Sequence, residues 1–229
     1  MKGIFGYDSP LGQVLNFIAD LLIVNVLFLL CCIPVVTIGP AQSGLYNAMR
    51  ILQDRQDDSS PIKAFFRGFK NGFLSISIVS TLFLVFDVVL FWTLAMCYSY
   101  ADTGMFIHWG IPFAGLLLSL VVHSNLTIFH SQFQCTAGQL VRNAFLVLIS
   151  HPLRSLAVMA LTWAPVALFF LMPNMFLNLV PLFITAYYSL AFMFGALVMQ
   201  KPFKKLIDSF YEETEGEEAT NEEIQDEEE

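Results

Sequence analysis

The stretch Ser155–Gln200, SLAVMALTWAPVALFFLMPNMFLNLVPLFITAYYSLAFMFGALVMQ, runs for 46 residues without an Asp, Glu, Lys or Arg. A hydrocarbon layer ~30 Å thick is crossed by about 20 residues of α-helix. The stretch is therefore too long for one crossing and long enough for two. Pro173-Asn174 marks the break between them, since Pro removes a helical hydrogen bond and Asn favours turn backbone. Two spans follow, about 155–172 and 176–200.

Working outward, charge-free intervals supply three more. Between Asp8 and Arg50 the only charge is Asp20, which gives a span near 14–36. Between Lys70 and Asp102 the only charge is Asp87, which gives 72–97. Thr103–Val141 has none, and Ile111–Gln134 reads as a span over 111–134. The composition agrees: 56% of the 229 residues are hydrophobic and 13% charged, too few charges to coat a soluble domain. The fold class is all-α, a polytopic transmembrane helix bundle of about five spans. The first apolar run is longer than a signal-peptide core, only Lys2 precedes it, and no small-x-small cleavage site follows. It reads as a retained span.

The net charge of −8 is unevenly held. From Asp208 to Glu229 there are 12 acidic residues and no basic one, whereas residues 1–207 hold 11 Lys and Arg against 7 Asp and Glu. A short acidic segment with no apolar face cannot offset its ordering entropy. Residues 207–229 therefore read as a disordered tail, solvated or partner-binding, behind a transmembrane helical domain of residues 1–206. Arg50, Arg55, Lys63, Arg67 and Lys70 lie between the first two spans, Arg142 and Arg154 between the third and fourth, and Lys201, Lys204 and Lys205 after the last. Ten of the 11 basic residues thus fall on alternate connections, which the positive-inside rule assigns to the cytoplasm. The expectation is a multi-pass protein of a bacterial cytoplasmic membrane, N-terminus outside and C-terminus cytoplasmic. Tyr98, Tyr100 and Trp109 flank the outer loop at headgroup level.

The cytoplasmic segments carry short amphipathic helices. Ala41, Leu45, Ala48 and Leu52 fall at i, i+4, i+7 and i+11 behind Gly39-Pro40, an apolar stripe on an interfacial helix. Gly39-Pro40 itself reads as a turn, with a re-entrant element lining a pathway as the alternative. Phe65, Phe66, Phe69 and Phe73 interleave with Arg67 and Lys70 in a second interfacial segment, whose cations face anionic headgroups. Leu140, Ala144, Val147 and Leu148 form a similar stripe before His151-Pro152.

Ionisable groups at membrane depth cost about 2.5–3.5 kcal/mol on insertion scales, so each calls for a partner or a role. Asp20 and Asp87 are such groups. His123, Thr127, His130 and Gln134 repeat at i, i+4, i+7 and i+11, a polar stripe on one helix face. With Asn25 they form a candidate intramembrane seam of Asp20, Asn25, Asp87, His123, Thr127 and His130. Two readings stay open: a seam in which Asp87 or Asp20 meets His123 and handles a solute or a proton, and hydrogen bonding that fixes helix packing. Cys31, Cys32, Cys97 and Cys135 show no paired spacing, and there is no His/Glu metal motif, Ser/His/Asp order or nucleotide-binding glycine loop. No enzyme activity, cofactor, metal or nucleic-acid partner is expected.

Ile33-Pro34-Val35-Val36-Thr37-Ile38-Gly39-Pro40-Ala41, followed by Leu45-Tyr46, resembles the signature closing the first helix of the YesL-like family of bacterial integral membrane proteins. Phe65-Phe66-Arg67-Gly68-Phe69-Lys70-Asn71 is similar to its second signature, and Arg142-Asn143-Ala144-Phe145 with His151-Pro152 to its third. The motif positions are thus Pro34, Thr37, Gly39, Pro40, Tyr46, Phe66, Phe69, Lys70, Asn71, Arg142 and Asn143. The resemblance implies a family without an established biochemical activity, often encoded beside carbohydrate-uptake systems, and supplies no catalytic residue. The functional expectation is a non-enzymatic accessory or assembly component of carbohydrate uptake. Its partners are the lipid bilayer and transport-system subunits or a second copy. The alternative is a small solute or proton-coupled permease using the intramembrane Asp and His residues.

Overall fold

The computed structural model describes residues 10–54, 60–100, 106–133, 135–201 and 203. Gln134 and the tail over 207–229 lie outside the described residues, as do the side chains of Tyr98, Tyr100 and Trp109. Met1–Ala196 form one unit and Leu197–Glu229 a second, of which helical residues 197–201 and Phe203 are described. Among the described residues there is no strand. The helices are α1 (Pro10–Cys31), α2 (Ile38–Gln53), α3 (Pro61–Lys70), α4 (Phe73–Tyr100), α5 (Phe106–His130), α6 (Ala137–Ser150), α7 (Pro152–Leu171), α8 (Pro173–Leu182) and α9 (188–201). A π-helical segment, Phe183–Tyr187, joins the last two.

Among the described residues, five helical stretches are long and apolar enough to cross a membrane: Leu11–Cys31, Phe73–Cys97, Gly110–His130, Pro152–Leu171 and Pro173–Lys201. Their outer faces are apolar, with Leu74 70%, Ile111 71% and Leu153 81% exposed. Water would make such surfaces an aggregation liability, whereas lipid solvates them, and helices satisfy every backbone group internally. The chain is an integral, multi-pass membrane protein.

The first of these stretches ends short of residue 36, and the third ends at His130, short of residue 134. The run to residue 36 stops as helix at Cys31 because Pro34 forces the chain out of the ladder. The Thr37 hydroxyl then donates to the carbonyls of Cys31 at 2.6 Å and Pro34 at 2.7 Å. These bonds close a tight turn around a 3-10 segment, Val35–Thr37, and launch α2.

Helix α2 is enclosed. Of its 16 residues 12 are buried, so the apolar stripe on Ala41, Leu45 and Ala48 describes only one of its covered faces. The others carry small and polar residues that let neighbouring backbones approach. A Cβ on Gly44 would stand 2.7 Å from the Phe65 carbonyl oxygen, and one on Gly68 would stand 3.0 Å from Gly44 Cα. This glycine pair brings α2 and α3 into direct backbone contact, and Asn47 Nδ2 donates to the Ala64 carbonyl at 2.7 Å across it. At the start of α2, a Cβ on Gly39 would collide with the Ser80 side chain of α4. Near its middle, the Tyr46 ring packs on Phe192 with centroids 4.3 Å apart and lies 3.2 Å from where a Gly195 Cβ would be.

In contrast, α6 buries Leu140, Ala144 and Val147 and exposes its other face, as expected of an amphipathic helix. Gln139 caps it by accepting from the Thr136 amide at 3.1 Å. Pro181 disturbs the last span, where the ladder loosens into the π segment. Asn25 of α1 repairs it: Nδ2 donates to the Phe183 and Ile184 carbonyls at 3.3 and 2.6 Å, and Oδ1 accepts from the Ser189 amide at 3.0 Å.

A methyl group normally stabilises a helix by up to about 1 kcal/mol over Gly. Gly138, with nothing within 4 Å of a built Cβ, should follow that rule, and Gly39 should reverse it. Thermal unfolding of the detergent-extracted protein is expected to show Gly138→Ala unchanged or stabilised. Gly39→Ala should lose roughly 1–3 kcal/mol through overpacking against Ser80.

Candidate functional site

The polar stripe of α5 faces α4 and α2, and two histidines on it anchor two separate clusters. The upper cluster forms around His123, which is 1% exposed. Its Nδ1 lies 3.3 Å from Asp87 Oδ2 and its Nε2 lies 3.0 Å from Ser80 Oγ. Ser80 and Asp87 are two turns apart on one face of α4, so a single imidazole spans the gap between them. Among the described residues this is the only ion pair. The arrangement accepts both states of the ring. Neutral and protonated at Nδ1, His123 donates to Asp87 and accepts from the Ser80 hydroxyl; doubly protonated, it donates to both. Asp87 Oδ1 is buried without a partner.

Aromatic groups pack against the imidazole of this pair. Trp163 of α7 meets the His123 ring edge-on with centroids 5.5 Å apart, while its Nε1 donates to Ser124 Oγ at 3.1 Å. Phe83 stands 6.1 Å from the same ring. Nearby, Asn125 Nδ2 donates to Ser155 Oγ at 2.9 Å, which ties α5 to α7. The low local dielectric strengthens the Asp87–His123 attraction and raises the cost of losing either member.

The lower cluster lies where α5 ends. His130 Nδ1 is 3.0 Å from Ser43 Oγ of α2. Its Nε2 has no partner and points at Gly72, where a built Cβ would stand 2.6 Å away. Gly72 has φ +54°, a backbone state that glycine enters without steric cost, so both space and backbone select glycine there. Thr127 lies between the clusters but donates to the Ser124 carbonyl of its own helix at 3.0 Å and joins neither.

The other seam residues are elsewhere. Asn25 clamps the π segment. Asp20 is half-buried on α1, which packs chiefly on α2, α3 and the π segment, and it does not reach the Asp87–His123 pair. The motif residues take structural places: Pro34 and Thr37 form the turn, Gly39 and Pro40 begin the buried helix, and the Tyr46 ring packs on Phe192. Burial pushes the Tyr46 hydroxyl well above the usual tyrosine range, and the neighbouring Thr162 pulls it partly back. Phe66 is exposed, and Phe69 stacks 6.1 Å from Phe65. Arg142 is exposed, and Asn143 Nδ2 lies 3.9 Å from Cys135 Sγ. Burial raises the Cys135 thiol and pushes Cys32 up to about 12, so both remain protonated packing groups.

Sequence reasoning missed Ser80, Ser43 and Trp163. Ser77, Ser80 and Asp87 fall at i, i+3 and i+10, all on one face of α4, so the stripe count used for α5 would have found Ser80. Ser43 and Trp163 carry no comparable periodic signal.

Residues 21–94 match the model of a family described as "Protein of unknown function, DUF624". The matched stretch contains α2, α3, Ser80 and Asp87 but ends before α5, which supplies His123. No curated protein and no solved structure matches the chain.

Removing one member of a buried pair leaves the other uncompensated, at a cost of about 3–5 kcal/mol, whereas replacing both with apolar residues is far milder. His123→Leu is therefore expected to lower the thermal midpoint in detergent more than the Asp87→Leu/His123→Leu double variant does. Additive losses in that double-mutant cycle would mean that the two groups do not interact.

Proposed function

We propose that this integral membrane protein is a non-enzymatic accessory or assembly component of a bacterial solute-uptake system, with carbohydrate uptake as the first candidate. One observation carries the reading: buried polar side chains tie helices to each other. Asn25 joins α1 to the π segment and α9, and Asn125 joins α5 to α7. Bonds of this kind favour one fixed arrangement over rocking halves. The YesL-like resemblance agrees with the family match and supplies the carbohydrate context. The partners are transport subunits or a second copy, held within the cytoplasmic membrane. The basic residues on alternate connections support an outside N-terminus and a cytoplasmic C-terminus.

A second reading rests on the Asp87–His123–Ser80 cluster. A ring bonded in both protonation states, beside a carboxylate oxygen with no partner, suits a proton-coupled permease.

The test is co-purification from native membranes under sugar-limited growth, with Asp87→Asn and His123→Ala alongside the parent. Capture of transport subunits by all three, with no uptake by proteoliposomes, is the expected result. Uptake that both substitutions abolish, without a captured subunit, would replace the accessory reading with the permease. In a cysteine-free background, a membrane-impermeant thiol reagent should label a cysteine at position 102 and not one at 57; the opposite pattern would invert the orientation.

A further inference from the structure

We propose that the end of the bundle formed by α2, α3 and the close of α5 is a binding site for a phosphate group. This is independent of the accessory reading. A cleft of about 570 Å³ opens there, lined by Arg50 and Asn47 of α2, Arg67 and Lys70 of α3, Asn71 of the α3–α4 turn and Ser131 just after α5. Three cations and three neutral hydrogen-bonding side chains line it, and among the described residues no acidic one does. That combination matches the needs of a phosphate oxygen set: forked guanidinium donors and a point ammonium for charge, with amide and hydroxyl groups for orientation. A volume of this size accommodates a small ligand such as a phosphorylated sugar or a lipid headgroup.

The fold builds the cleft. Arg50 and Arg67 come from different helices and would repel unless held. The Gly44–Gly68 contact presses α2 and α3 together so closely that Arg50 of one and Arg67 and Lys70 of the other line one opening. Asn47 fastens the crossing through Ala64 and lines the cleft as well. On the third side, His130 packs against Gly72, which draws the Asn71-Gly72 turn to the end of α5 and brings Ser131 to the cleft wall. All three cations are solvent-facing, and among the described residues none is in an ion pair. Bringing three like charges to one mouth is unfavourable without a counter-anion. Asn71 precedes the span at Phe73 by two residues and Ser131 follows the one ending at His130 by one, so the cleft sits at headgroup level. A phosphodiester of an anionic lipid and the phosphate of a soluble metabolite both reach it there.

The experiment uses the full chain in two arms. In lipid-free detergent, glycerol 3-phosphate is titrated by calorimetry. In nanodiscs of phosphatidylcholine with and without phosphatidylglycerol, retained lipid is counted by native mass spectrometry. The variant Arg50→Gln/Arg67→Gln/Lys70→Gln is compared with Arg142→Gln/Arg154→Gln, which removes two cations outside the cleft. The expected result is binding in one arm, weakened on the order of a hundredfold by the cleft variant and within about threefold of the parent in the control. Binding in the first arm identifies a soluble phosphate ester, and in the second a lipid headgroup. Binding in neither arm overturns the proposal, as does equal loss in both variants. Should the triple variant not fold by size-exclusion and circular dichroism, Lys70→Gln alone carries the comparison, with a tenfold loss expected and an unchanged affinity overturning the site.

Discussion

Three close approaches hold one end of this helix bundle together: Gly39 on Ser80, Gly44 on Phe65 and Gly68 on Gly44. In lipid no hydrophobic force separates helix–helix from helix–lipid contact, so association relies on van der Waals fit and on hydrogen bonds between backbones that approach closely. Small residues make that approach possible. Here they allow a helix too short to cross the membrane to sit among those that do. Its placement fixes the rest: Ser80 is set opposite His123, Ser43 opposite His130, and Arg50 on the same cleft as Arg67 and Lys70.

The polar groups divide by the work their surroundings allow. Asn25 saturates carbonyls that the π segment after Pro181 releases, and so offsets an irregularity that would be costly in hydrocarbon. Asn125 and Trp163 join α5 to α7 by hydrogen bonds, and Tyr46 packs α2 against α9. Asp87 and His123 differ, because a carboxylate and an imidazole in apolar surroundings exceed what packing alone requires. The same frame thus encloses one carboxylate–imidazole pair that the joining of helices does not account for.

Much of this could be read from the residues alone. The five spans emerge from charge-free intervals because lipid tolerates so few charges, and the Asp87–His123 meeting follows from one costly carboxylate and one polar helix face. The enclosure of α2 did not emerge. An apolar stripe on Ala41, Leu45 and Ala48 signals one buried face, whereas Gly39, Ser43, Gly44 and Asn47 are buried by closeness and hydrogen bonding, which leave no hydrophobic period. Grouping Asn25 with the α5 stripe failed for a related reason: its partners are main-chain atoms some 160 positions away in sequence. The cleft gathers cations from separate helices, and only the glycine crossing brings them to one place.

Hydrogen exchange of the purified protein, followed by mass spectrometry, tests the enclosure of α2 most directly. Amides over 41–49 should exchange as slowly as those over 121–129 in α5, whose side chains are equally buried, and much more slowly than those of the half-exposed α6. Exchange of 41–49 at the rate of α6 would put α2 on the membrane surface and remove the scaffold on which both histidine clusters and the cationic cleft are built.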